Sequence, residues 1–301
     1  MALKRVSQLP AFNGVPATGV AATATLDIPI GPRYSEIIVK GSDTANANLA
    51  TMVLDCRVKV NGRTQRQFTI GQGDYINSLQ SSASYYTSGT TRGIVTPGES
   101  FGSLFKNASN VTRFPIFFAE PGRVPGVEAA LAWPTGNLSS FQLELDVAST
   151  ASTKTIQAYA AVDNAIVTTG GLQKAAPMGK IIKWVRTSMD VNGTTKNWQN
   201  FWKRDVLVGV HFFDTALTNV QLLADSYEWR NVSQDDNLYH LSQHGMVGTA
   251  SNFNLVMDYD DIVSGGGLRL DGIQDLRLNI TLSDGTARNI PVILELYGDP
   301  D

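Results

Sequence analysis

The amino-acid sequence predicts an all-β protein built from two similar halves. Three observations predict it. Apolar residues recur with period two in segments rich in β-branched and aromatic side chains, helical periodicity is confined to two short stretches, and the order of elements in the first half returns in the second.

The alternating segments of the first half are 25–30, 36–40, 56–60 and Phe141–Val147. Those of the second half are 205–213, 219–223, Leu276–Leu282 and 291–297. Clusters of Gly, Pro, Asn, Asp and Ser separate them, which is the composition of turns. In Phe141-Gln142-Leu143-Glu144-Leu145-Asp146-Val147 every second residue is apolar and every intervening one polar, the pattern of a sheet with one dry and one wet face. Leu276–Leu282 repeats it. The two helical candidates are 72–80 and Gln234–Gln243, polar stretches with apolar residues about one turn apart.

These helices prompt a comparison of the halves. An offset of 162 writes Val58 against Val220, Val60 against Leu222, Ile70 against Val232, Gln72 against Gln234 and Leu79 against Leu241. Two further pairings are collinear with it. Ile37 and Val39 align with Val208 and Val210 at an offset of 171, and Phe141–Val147 aligns with Leu276–Leu282 at 135. The falling offset fits a second copy with shorter loops. Gly, Pro and small residues break the strand pattern between 163 and 180, so the expected division is 1–168 and 169–301. The irregular stretch 81–110, rich in Ser, Thr, Gly and Tyr, is too long for a simple connection. It reads either as a contact-making surface loop or as a loop without a role.

Composition narrows the function. Hydrophobic residues make up 43% of the 301, enough for two cores, whereas the charged share of 17% lies below the roughly 25% of ordinary soluble domains. Much of the surface is therefore neutral, or buried against partners. Lys and Arg total 24 against 27 Asp and Glu, a net charge of -3 that offers no general field for nucleic acid. Direct sequence-specific nucleic-acid binding is not expected. Lys4 and Arg5 make a basic N-terminus, but fewer charges than the roughly four to eight of a lipid-binding cluster. The single cysteine, Cys56, excludes an intramolecular disulfide framework and reads as a small buried hydrophobe. Residues 1–10 lack the apolar core of a signal peptide, so synthesis in a host cytoplasm is expected.

Residues with chemistry to offer are few. The histidines are His211, His240 and His244, and the first sits in an apolar strand as a core or sheet residue. His240 and His244 share a helical face, yet Leu241 stands where a zinc-protease motif needs Glu, and no third ligand is recognisable. Carboxylates gather at 258–261 and at Asp235-Asp236. Solvated acidic turns are the default reading there and a structural calcium ion is the alternative. No nucleophile motif is present, and Gly71-Gln72-Gly73 and Gly265-Gly266-Gly267 are turn glycines without the context of a phosphate loop. No catalytic, cofactor-binding or metal-binding residue is expected, and the protein is read as a non-enzyme. Arg123, Arg186 and Arg204 are solvated or pair with neighbouring copies; Trp133, Trp184 and Trp202 are core or interface anchors, core being the first choice.

Two similar all-β halves with long loops and no catalytic set point to paired eight-stranded jelly rolls. Short stretches along nearly the whole chain add a resemblance: Leu9-Pro10-Ala11-Phe12-Asn13-Gly14-Val15, the run 24–31, Arg57-Val58-Lys59-Val60-Asn61-Gly62, and Glu128-Ala129-Ala130-Leu131-Ala132-Trp133. It continues through Ala158-Tyr159-Ala160-Ala161-Val162-Asp163, Lys180-Ile181-Ile182-Lys183-Trp184, 203–205, His211-Phe212-Phe213 and 272–278. In order and spacing the chain resembles the double-jelly-roll major capsid proteins of tailless, internal-membrane icosahedral bacteriophages, the corticovirus coat-protein group of the adenovirus structural lineage. Residues 81–110 and 248–266 depart from it.

The resemblance implies a homotrimer forming a pseudo-hexagonal capsomer, contacts with neighbouring capsomers and with penton or minor capsid proteins, and a virion shell over an internal viral membrane. The competing reading is a carbohydrate-binding β-sandwich such as a phage spike or adhesin, for which Tyr85-Tyr86 would supply the stacking aromatics.

Overall fold

The structure is a computed structural model that describes residues 5–43, 49–80, 106–107, 110–111, 113–119, 131–149, 153–169, 172–199, 201–202, 204–244, 246, 248–257 and 267–301. The chain forms two compact units, Met1–Ile181 with Asp299–Asp301, and Ile182–Gly298. The expected division at 168/169 falls inside a strand of the first unit. Strands Ile166–Thr169 and Leu172–Ala175 pair antiparallel, so the strand pattern continues on both sides of the expected boundary.

In the first unit the strands are β1 (Arg5–Gln8), β2 (Ala22–Asp27), β3 (Arg33–Asp43), β4 (Val53–Val60), β5 (Arg63–Phe68), β6 (Lys106–Asn107), β7 (Asn110–Val111), β8 (Arg113–Phe117), β9 (Trp133–Pro134), β10 (Phe141–Val147), β11 (Lys154–Asp163), β12 (Ile166–Thr169) and β13 (Leu172–Ala175). Helix α1 (Leu49–Met52) precedes β4 and α2 (Ile70–Gln80) follows β5. One sheet runs β1-β11-β3-β8, with β9 on β3, and the other runs β5-β4-β10-β2. The second unit has β14 (Ile181–Val191), β15 (Thr195–Gln199), β16 (Val206–Phe212), β17 (Leu217–Ala224), β18 (Tyr227–Ser233), α3 (Gln234–Gln243), β19 (Phe253–Val256), β20 (Leu268–Arg269), β21 (Leu276–Leu282) and β22 (Arg288–Gly298). Its sheets run β14-β22-β16-β19, with β20 on β16, and β15-β21-β17-β18.

Ranked by position along each unit, the main strands fall in the same two orders, first-eighth-third-sixth and second-seventh-fourth-fifth. That is a jelly roll, and it occurs twice.

Duplication extends to the turns and helix starts. β4 and β5 are joined by Asn61 (φ 50) and Gly62 (φ 79), β17 and β18 by Asp225 (φ 47) and Ser226 (φ 69). Both are two-residue hairpins with positive φ at each central residue, the turn whose twist matches paired strands. After the fifth strand each unit starts a helix with a hydroxyl cap. Thr69 Oγ1 accepts the Gln72 amide while Gln72 Oε1 accepts the Thr69 amide, and Ser233 Oγ accepts the Asp236 amide. Helix α2 thus starts before the 72 expected from sequence.

All three sequence pairings join strands of equal rank: β3 with β16, β4 with β17, and β10 with β21. The offset of 162 is corrected, however. Phe141 lies opposite Val60 and Leu276 opposite Ala224, so with β10 on β21 the fourth strands superpose at 164, the spacing of the two hairpin turns as well. A slip of two residues keeps every side chain on its own face, and alternation alone is blind to it.

Each core is the dry face of its sheets. In the first unit Phe141, Leu143, Leu145 and Val147 alternate inward beside Leu26, Cys56 and Val58, against Ile37, Val39, Phe114 and Ala158. In the second, Leu276, Leu278, Ile280 and Leu282 pack with Val220, Leu222, Val210, Phe212, Val292 and Leu294. The hairpin at Ser226 offers a direct test of backbone cost. A non-glycine residue in the left-handed region is penalised by about 1–2 kcal/mol. Ser226→Gly is therefore expected to raise stability by about 1 kcal/mol, read as a higher urea midpoint. A lower midpoint would show the Ser226 conformation to be unstrained.

Candidate functional site

On the wet face of β5-β4-β10-β2, Arg57 sits between three carboxylates. Its Nη1 and Nη2 bind Asp146 at 2.7 Å each, Nη1 also binds Asp55 at 2.8 Å, and Nε binds Glu144 at 3.1 Å. Lys59 Nζ holds the other Glu144 oxygen at 2.6 Å, and Thr23 donates to Asp146 at 2.7 Å. The alternation of β4 and β10 puts these residues on one face, and the antiparallel register brings Arg57 opposite Glu144.

The hydrogen bond to Asp146 raises the Arg57 pKa, and the same bond holds the Asp146 carboxyl below 3.8. Burial works to raise Glu144, but hydrogen bonds from Lys59 and Arg57 outweigh it and keep the group below 4.5. Depressed carboxylates stabilise the fold above their unfolded pKa values, and that contribution is lost as pH falls through the folded ones. Stability is thus expected to hold from neutrality to about pH 5 and to fall below about pH 4. Urea midpoints across pH check it, and Arg57→Met should flatten the acid limb. An equally steep limb in that variant would sink the assignment.

The equivalent face of the second unit carries amides. Asn197 donates to Asn279 at 2.6 Å, Asn279 to Gln221 at 2.8 Å, and Gln221 to Glu228 at 2.6 Å, a ladder crossing β15, β21, β17 and β18. Its polar groups satisfy one another, so this face is largely neutral. Where it ends, on β18, Tyr227 and Trp229 stand exposed with ring centroids 6.1 Å apart.

The second unit also buries ionisable groups. His211 Nδ1 lies 3.0 Å from Asn254 Oδ1, and its Nε2 lies 3.3 Å from Glu295 Oε2, all three side chains being buried. Asn237 of α3 donates to the Asn254 carbonyl at 2.9 Å, tying the helix to β19. Lys183 Nζ meets Asp205 Oδ2 at 2.7 Å.

Most residues singled out from the sequence have structural roles. Cys56 is fully buried, and burial pushes its thiol pKa well up, which suppresses the reactive thiolate. Asp236 accepts the Ser233 hydroxyl at 2.6 Å, so the Asp235-Asp236 pair occupies the first turn of α3, where negative charge meets the helix dipole. His240 and His244 are exposed at the other end of that helix. No group of three or more His, Cys, Asp or Glu among the described residues is placed to hold a metal. Residues 258–261, Arg123, Lys4 and Tyr85-Tyr86 lie outside the described residues.

Trp133 and Trp184 are buried. Trp202 is half-buried against the second core, with the Arg204 guanidinium 5.4 Å from its ring. Sequence reasoning missed Arg57, Arg66, Lys183 and Glu295. Alternation marked Arg57 and Glu144 as outward-facing, and only the register showed that they meet.

The family model described as viral coat protein P2 C-terminal domain matches residues 181–300. No curated protein sequence matches the chain. Among solved structures, the major capsid protein P2 of bacteriophage PM2 is similar at a TM-score of 0.76 and 18% identity, covering 98% of this chain and 97% of that one. The STIV MCP (Sulfolobus turreted icosahedral virus) aligns at a TM-score of 0.64 and 11% identity over 99% and 97%. The Faustovirus major capsid protein aligns at 0.60 and 9% over 99% and 90%. The shared fold is the double jelly roll, and the carbohydrate-binding alternative finds no support in it. The chain is a double jelly roll whose residues 181–300 match the family model of the viral coat protein P2 C-terminal domain.

Proposed function

We propose that this chain is the major capsid protein of an icosahedral virus and works by self-assembly. The observation that carries the reading is the pair of jelly rolls with one strand order in a single chain, alike in fold to a phage major capsid protein along nearly its whole length. Three chains of two rolls each give six similar blocks, so a homotrimer suits a pseudo-hexagonal capsomer. Low surface charge and the neutral face of the second unit favour broad lateral contacts, because interface cores are depleted in charge.

In this reading capsomers meet neighbouring capsomers and penton or minor capsid proteins, and the shell encloses an internal lipid membrane in the virion. The chain is made in the host cytoplasm, has no enzymatic role or cofactor, and packages the genome without direct sequence-specific nucleic-acid contacts. Burial of apolar area at symmetric contacts drives assembly. Native mass spectrometry of the purified protein over a range of concentrations tests it. A stable trimer is expected, and a strict monomer throughout would overturn the capsomer reading.

A further inference from the structure

The sheet edges differ in how they are closed. β8 and β19 are buried along most or all of their length, and β2 is bridged by the segment at Asn13, whose amide and carbonyl both pair with Thr25. β15 is exposed but carries Lys196, the kind of charge that discourages strand addition, and its Trp198 stacks on Phe201. β1 in the first unit and β18 in the second are exposed strands at the ends of their sheets.

Their side chains are complementary. On β18, Tyr227 is 68% and Trp229 46% exposed, and Glu228 is followed by Asp235 and Asp236 at the start of α3. On β1, Val6 is 70% exposed and Arg5 is exposed beside it. One edge offers aromatic rings and net negative charge, the other an aliphatic side chain and a cation.

We propose that β18 of one copy docks against β1 of a second copy, with Val6 packing on the Tyr227 and Trp229 pair on one face and Arg5 meeting Glu228 on the other. This rests on the capsomer reading and names its contact surface. Because the two patches differ, the contact is heterologous, head to tail, and a chain of such contacts is satisfied only by closing into a ring. Pairing of strand edges supplies backbone hydrogen bonds, while the aromatic pair supplies the desolvated anchor. A strand as short as β1 gives a modest contact, so ring closure is what makes it persist.

Mixed-disulfide trapping tests this. Protein with Val6→Cys is mixed with protein carrying Tyr227→Cys and oxidised; native Cys56 is buried and stays silent. A mixed covalent dimer is expected, well above the level given by Ile166→Cys in place of Val6→Cys, Ile166 being exposed elsewhere on the first unit. In parallel, Trp229→Ala with Arg5→Ala should raise the concentration for trimer dissociation by about tenfold or more, the scale of losing an aromatic anchor. Circular dichroism establishes that these surface variants fold. If the wild-type chain is a trimer yet neither effect appears, the docking surface is wrong and the capsomer reading stands. If the wild-type chain is monomeric, both fall.

Discussion

Trp133→Ala is expected to destabilise the N-terminal jelly roll by about 3–5 kcal/mol, the cost of removing a large buried aromatic and leaving a cavity. Trp133 is fully buried on β9, which pairs with β3, and its ring centroid lies 4.3 Å from Phe118 and 6.0 Å from Phe141. The buried Arg66 guanidinium lies 5.4 Å from the same ring and donates to the Phe117 carbonyl at 2.6 Å. Truncation therefore removes apolar contact and the face on which a buried cation rests. A loss of this size is comparable to the whole stability of a small domain. Urea unfolding followed by far-ultraviolet circular dichroism should show an early transition for this roll, with a milder effect for Trp133→Phe. An unshifted curve would mean that the core closes without the indole.

Lys183→Met is expected to cost the C-terminal roll about 3–5 kcal/mol, because it strands a carboxylate that is mostly out of water. Lys183 is 1% exposed on β14 and meets Asp205 at 2.7 Å. Asp205 has little freedom to move away. Its backbone is left-handed at φ 68, and its side chain crosses Gly298 where a Cβ would stand. The double variant Lys183→Met with Asp205→Asn removes the stranded charge and should recover much of the loss. A double-mutant cycle from denaturant midpoints measures the coupling. Near-additive losses would show the pair to be hydrated and of little consequence.

The strands were legible because one face of most of them is dry and the other wet. Phe141–Val147 and Leu276–Leu282 declare themselves by alternation, and their burial follows it residue by residue. The duplication was legible in order but not in register, since a shift of two residues preserves which side chains face inward. The hairpins at 61–62 and 225–226 hold the missing register, but only the first has a familiar Asn-Gly signature.

Buried charge was not legible. Glu295 sits between Leu294 and Leu296 and reads as a solvent-facing residue of an alternating strand, yet it is buried, because β22 is covered on both faces along most of its length. Lys183 hides in the same way within Ile181-Ile182-Lys183-Trp184. Arg57 was visible as a polar position, but its three carboxylate partners come from β4 itself and from β10, far along the chain, and only strand pairing brings them together.

Electron microscopy of the purified wild-type oligomer tests the central claim most directly. The account predicts a ring of six similar lobes built from three chains, one lobe for each jelly roll. Single two-lobed particles at every concentration would contradict it.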